Sequence, residues 1–158
     1  MSPNAALAFA EQPSRSASLA VLSEVLGPLS VPADSVLTFP TGLFGFPECR
    51  RFALVPAGRE GLYWLQSLEH STLAFLLADP FQFFAGYSVE LGASDRAELG
   101  AQGTDDVAIL AIVTLPQSRG AQPTANLQGP VALNLRGGIG RQLAIADGEW
   151  GVRCAFEP

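Results

Sequence analysis

Lysine is absent from this chain, and the residues that carry most catalytic and metal chemistry are scarce. There is one histidine, His70, and there are two cysteines, Cys49 and Cys154. Each shortage excludes something. Without clustered histidine, cysteine and carboxylate there is no relay for proton transfer and no ligand set for a metal, so neither a metal nor a cofactor is expected. His70 sits in Glu69-His70-Ser71 and reads as a solvated turn residue. Cys49 and Cys154 lie far apart with no CxxC spacing, which gives no disulfide framework, and free thiols are expected. Gly137-Gly138-Ile139-Gly140 precedes no helix and no lysine, so it reads as a hairpin turn rather than a phosphate loop. No serine lies in a nucleophile elbow. The sequence therefore does not read as an enzyme.

Long apolar runs are also missing. Nothing approaches the roughly 18 consecutive apolar residues of a membrane-spanning helix. Met1 to Ala10 lacks a basic start, and its apolar stretch is too short for an export signal. A cytoplasmic protein is expected, with no membrane partner.

Charge is sparse and lopsided. Only 15% of residues are charged, while 48% are hydrophobic. All nine basic residues are arginine. Eight acids and two arginines lie between Arg59 and Asp106, a difference that equals the whole net charge of −6. An acidic middle speaks against nucleic-acid binding, which needs cations to displace counterions. It suits either a solvated face or attraction to a basic protein.

The order of the chain is β-like. Residues 1–17 are rich in Ala, Ser and Pro without a period and read as a disordered arm, with one domain from 18 to 158. Short apolar runs follow, punctuated by glycine and proline. They include Val36 to Phe39, Arg51 to Pro56, Leu62 to Leu68, Leu73 to Ala78, Tyr87 to Leu91, Val107 to Leu115 and Val131 to Leu135. Only Ser94 to Leu99 looks helical, with Ser94 as cap and Gly100 as stop. The expectation is an all-β fold: a small antiparallel β-barrel or sandwich-like domain with one short helix.

Two apolar segments stand out. Phe39-Pro40-Thr41-Gly42-Leu43-Phe44-Gly45-Phe46-Pro47-Glu48 holds three aromatics, two prolines and two glycines. It reads as a stiff turn that either plugs the core or presents a surface. Asp79-Pro80-Phe81-Gln82-Phe83-Phe84 is the densest aromatic cluster. On a strand, Phe81 and Phe83 would face one side and Phe84 the other. Some of it should then lie near the surface and suit a protein partner. A closed barrel with many inward aromatics also allows a small-ligand-binding β-barrel as the alternative.

These segments resemble those of the FliW family of flagellar assembly factors. The resemblance rests on Leu37 to Glu48, then Tyr63-Trp64-Leu65-Gln66-Ser67, then Leu73-Ala74-Phe75 leading to Asp79-Pro80-Phe81 and Tyr87. Leu110 to Pro116, Thr124 to Val131 and Asn134 complete it, in order, from about Leu19 to Phe156. It implies a cytoplasmic, monomeric, chaperone-like module without a cofactor and without enzymatic activity. It implies two partners, flagellin and the RNA-binding translational regulator CsrA, exchanged so that repression of flagellin translation is relieved. On that basis Phe44, Phe46, Phe81 and Phe83 are candidate flagellin contacts, and the acids of the middle segment, Asp79, Asp105 and Asp106 among them, candidate regulator contacts.

Overall fold

A computed structural model describes residues 4–11, 16–146 and 148–158. Ten strands form in order: β1 (Ser18–Val21), β2 (Leu29–Pro32), β3 (Val36–Thr38), β4 (Arg51–Pro56), β5 (Leu62–Ser67), β6 (Ala74–Ala78), β7 (Ala108–Thr114), β8 (Thr124–Asn134), β9 (Ile139–Gln142) and β10 (Cys154–Ala155). Strands β3 to β9 pair around a closed ring. Antiparallel neighbours run β8-β7-β6-β5-β4-β3, and β9 joins β3 in parallel and β8 antiparallel. Strands β1 and β2 form a separate hairpin, and β10 pairs with the start of β8.

Alternation along the strands divides the apolar residues into an inside and an outside. Leu37, Phe52, Leu65, Leu77, Leu110 and Leu133 belong to the interior cluster, each almost wholly buried. Their neighbours Ala78, Ile109, Ala111, Val113 and Ala132 face outward. There they meet Phe84, Tyr87, Leu99, Leu143 and Phe156. The β1–β2 hairpin covers the outer face of β4 through Val21, Val31 and Ala53. Cover on both faces explains why β7, buried at every position but Ile112 and Thr114, reads as a continuous apolar run.

The barrel ends are closed differently. Tracing the strand directions puts the end of β6, the start of β7 and the end of β8 at one mouth. Here Ala5–Glu11 forms a 3-10 helix, with Leu7 buried in the interior cluster. Asn4, in a left-handed conformation (φ 63°), fastens this piece to the wall. Its Nδ2 donates to the Ile109 carbonyl and to Asp79 Oδ1, and its Oδ1 accepts from the Ile109 N–H. The disordered-arm reading is thus corrected for Asn4–Glu11, where one buried leucine and one asparagine anchor a stretch without a period. Residues 1–3 and 12–15 of that arm lie outside the described residues.

Three further expectations change. Pro80–Phe83 is a second helix, α1, where only one helix was expected and the phenylalanines were read by strand alternation. Asp79 caps it by accepting from the Phe81 N–H, and Pro80 occupies the first turn, where a missing N–H costs nothing. Ala93–Leu99 is the predicted helix, α2, ended by Gly100 at φ 65° as expected, but Gly92 is its cap and Ser94 lies within its first turn. Tyr87 to Leu91 alternates yet joins no strand ladder. Its apolar side chains lie on the outer cluster instead.

Candidate partner-binding face

The turn after β3 closes the second mouth, and it does both things its composition allowed. Gly42 and Gly45 take φ of 68° and 85°. Leu43 and Phe46 then exchange two backbone hydrogen bonds, at 3.2 and 2.8 Å. Phe39 and Leu43 turn inward, and Phe46 packs edge-on against Phe75 with ring centroids 5.3 Å apart. Those side chains are the plug. Phe44, between them, is 58% exposed.

Phe44 is held from below. Its N–H donates to Gln142 Oε1 at 2.7 Å, and Gln142 Nε2 donates to the Gly129 carbonyl at 2.8 Å. Gly129 lies in a bulge of β8. The β7–β8 register jumps there, from Leu110↔Val131 to Ile112↔Asn126. Asn126 Oδ1 stabilises the bulge by accepting from the N–H groups of Gln128 and Gly129. A side chain at Gly129 would press on Asn126 Nδ2 at 3.0 Å. An open groove results, with Phe44, Ile145, Val152, Ala144 and Ala146 as apolar walls. Two segments distant in sequence, Phe39 to Glu48 and Thr124 to Val131, thereby build one surface. Ile145 and Val152 were read only as parts of short strand-like runs, Arg141 to Ala146 and Val152 to Phe156, and nothing local in the sequence brings them beside Phe44.

The other candidate residues lie elsewhere. Phe81 and Phe83 are partly buried on the outer cluster, Phe81 against Tyr87 (5.7 Å) and Phe83 against Phe156 (5.2 Å). Asp79 is half-buried at the mouth closed by Leu7. Burial pushes its carboxyl up from the usual range, against the opposing hydrogen bonds from Asn4 and the Phe81 N–H. Asp105 is exposed nearby, and Asp106 Oδ2 accepts from the backbone of Gln102 and Gly103. Asp95 and Glu98, two more acids of the middle segment, are bonded to Arg141. The structure therefore separates Phe44 and Phe46 at one mouth from Asp79, Asp105 and Asp106 at the other.

One cluster was not visible in the sequence. Glu48, Cys49 and His70 bring a carboxylate oxygen, Sγ and an imidazole nitrogen within 4.8 Å of one another. The β4–β5 register explains it. Phe52 pairs with Ser67, so three residues further out on each side Cys49 faces His70. Buried Ser67 organises the loop, its Oγ accepting from the N–H groups of Glu69 (3.2 Å) and His70 (3.0 Å). Burial pushes the Cys49 thiol up, the charges of Glu48 and Glu69 add to this, and a hydrogen bond from Ser67 opposes it. Both cysteines are free thiols, as expected.

The fold is thus a closed seven-stranded β-barrel filled by its own side chains, so what it offers to another molecule lies at the plugged ends and on the outside. A model of the FliW protein family matches residues 20–156, and the chain belongs to that family. It is 35% identical over 126 residues to the flagellar assembly factor FliW of Natranaerobius thermophilus, covering 79% of this chain and 83% of that one. Against the flagellar assembly factor FliW of Treponema denticola it is 30% identical over 133 residues, covering 84% and 90%. A crystal structure of the flagellar assembly factor FliW superposes with a TM-score of 0.80 at 26% identity, over 87% of this chain and 96% of that one.

Proposed function

We propose that this protein serves flagellar assembly as a monomeric, cytoplasmic binding module that exchanges two protein partners and catalyses no reaction. Free of flagellin, it holds the regulator CsrA away from the flagellin message. As flagellin accumulates, flagellin occupies the module and the regulator is released to repress. The observation that carries this reading is Phe44. A large apolar side chain is held exposed on a rigid, doubly hydrogen-bonded turn beside an apolar groove, within one of the segments that carry the family resemblance. A pre-organised aromatic of this kind loses little entropy on binding and suits an interface anchor. The acidic segment, with Asp105 exposed, suits the basic regulator.

The small-ligand barrel has less support. Phe39, Phe52, Leu65 and Leu110 occupy the interior at 0% exposure, where a ligand would have to sit. No helix among the described residues is long and apolar enough to cross a membrane.

The test is calorimetric titration with flagellin and with CsrA of the same organism, followed by competition. Flagellin displacing bound CsrA is the expected result. Binding of neither partner would overturn the proposal. Charge reversal at Asp105 and Asp106 is expected to weaken CsrA binding and flatten its salt dependence; an unchanged salt series would remove the acidic face from the mechanism.

A further inference from the structure

We propose that Glu48, Cys49 and His70 form a binding site for a divalent transition cation of the zinc class, which clasps the Phe44-bearing turn to the β5–β6 loop. The donor set is the first argument. A thiolate sulfur, an imidazole nitrogen and a carboxylate oxygen are the three protein ligands that zinc accepts, and three of them with one water complete a tetrahedron. Softer and harder cations are each served by fewer of these donors: magnesium and calcium prefer all-oxygen shells.

Placement is the second argument. The three donor atoms already lie within 4.8 Å of one another, and Cys49 Sγ lies 3.8 Å from Glu48 Oε1. Closing onto one cation needs only small side-chain movements. Cys49 is buried, whereas Glu48 and His70 are exposed, so the sulfur forms the floor and the other two ligands the rim. The backbone beneath is fixed on both sides. On one, the Cys49 N–H donates to the Phe46 carbonyl at 3.2 Å; on the other, the His70 N–H is held by Ser67 Oγ. Glu69 stands behind the site, its carboxylate accepting from the N–H groups of Arg50 and Arg51. A cation placed here meets two carboxylates, and among the described residues no arginine side chain is bonded to them.

Binding proceeds by substitution. The Cys49 thiol proton passes to solvent as the sulfur–metal bond forms, and the incoming ligands displace water from the cation. The inference stands apart from the partner-exchange reading: it needs neither flagellin nor CsrA.

The experiment is a titration of the purified full-length protein with Co²⁺, followed by absorption spectroscopy, and then displacement by Zn²⁺. A thiolate-to-cobalt charge-transfer band with tetrahedral ligand-field bands is expected, bleached by Zn²⁺. Cys154→Ser should leave the spectrum unchanged and Cys49→Ser should abolish the charge-transfer band. Because Cys49 is buried and its replacement can perturb folding, His70→Ala, at an exposed position, is the second variant. It is expected to weaken cobalt binding roughly tenfold or more, at least the loss seen when a metal site's supporting residues are removed. Absence of the charge-transfer band in the unaltered protein would overturn the site. So would a His70→Ala variant of unchanged affinity, which would mark a simple thiol adduct.

Discussion

The two ends of the barrel solve the same problem with opposite materials. At one mouth a short 3-10 helix lays a single leucine, Leu7, over the interior and is held by the three polar contacts of Asn4. At the other, a ten-residue turn drives Phe39, Leu43 and Phe46 inward and is held mainly by its own backbone, with one long-range bond from the Phe44 N–H to Gln142 Oε1. The first plug is tethered from outside and draws on long-range side-chain hydrogen bonds. The second is stiff by composition. A stiff plug can present a side chain as well as bury several: Phe44 stands 58% exposed at the second, whereas Phe9 at the first is 36% exposed and has the Arg136 guanidinium over its ring at 5.3 Å.

The largest expected effect tests the stiff plug. Phe39→Ala removes a fully buried ring that meets Phe52 edge-on at 5.1 Å, and should cost about 3–5 kcal/mol in denaturant unfolding. Leu7→Ala at the tethered end should cost less, about 2 kcal/mol, since the site keeps some exposure and can collapse. Equal losses at both ends would dissolve the distinction.

Gly42 and Gly45 sharpen it further. Both have positive φ, but a Cβ at Gly42 would strike the Phe46 carbonyl and lie 2.7 Å from Pro47 Cα, whereas Gly45 faces open space. Gly45→Ala should therefore lose only about 1 kcal/mol from left-handed strain, and Gly42→Ala clearly more. Thermal unfolding of the pair separates strain from collision.

Phe44→Ala should change stability by less than about 0.5 kcal/mol while weakening flagellin binding in the calorimeter. If binding survives, the exposed ring is not the anchor. Phe83→Ala differs: its ring packs on Phe156, so lost stability is expected before any lost binding.

The smallest effect concerns acid. Asp79 has its folded-state pKa raised above 3.8, so the folded protein holds that proton more tightly than the unfolded chain. Its contribution to stability is present below pH 3.8 and is lost as pH rises through the raised folded value. Asp79→Asn should remove this downward slope from a pH series of unfolding curves, and a slope that persists would place its origin in another group.

Much of this arrangement could be read from the residues, and the failures share a cause. Strand β4 was bounded correctly at Arg51 and Pro56 because polar and glycine punctuation flanks an apolar run. Helix α1 was missed although Asp79-Pro80 is a start signal, because three phenylalanines were read by strand alternation. The first half of β8 was missed because its bulge places Gln128-Gly129-Pro130 inside the strand and breaks the period. Ser94 was mistaken for the cap, two residues after Gly92, which is the cap. Within the candidate face, the double character of the Phe39–Glu48 turn was legible, but its partners Gln142, Ile145 and Val152 were not. Cys49 and His70 were not read as a cluster because no local spacing joins them; only the strand register does. What could not be read was in each case set by pairing between distant segments.

The closure of the ring between β3 and β9 has a consequence for how the molecule comes apart. That parallel seam is registered at a single residue pair, Thr38↔Ile139, joining segments about a hundred positions apart in the chain. Every other neighbour in the ring shares at least three such pairs. A zipper that short, closed over so long a loop, is the last to form and the first to part. Native-state hydrogen exchange is therefore expected to be faster at the Thr38 N–H, bonded to the Gly138 carbonyl across this seam, than at the other ladder amides of the ring.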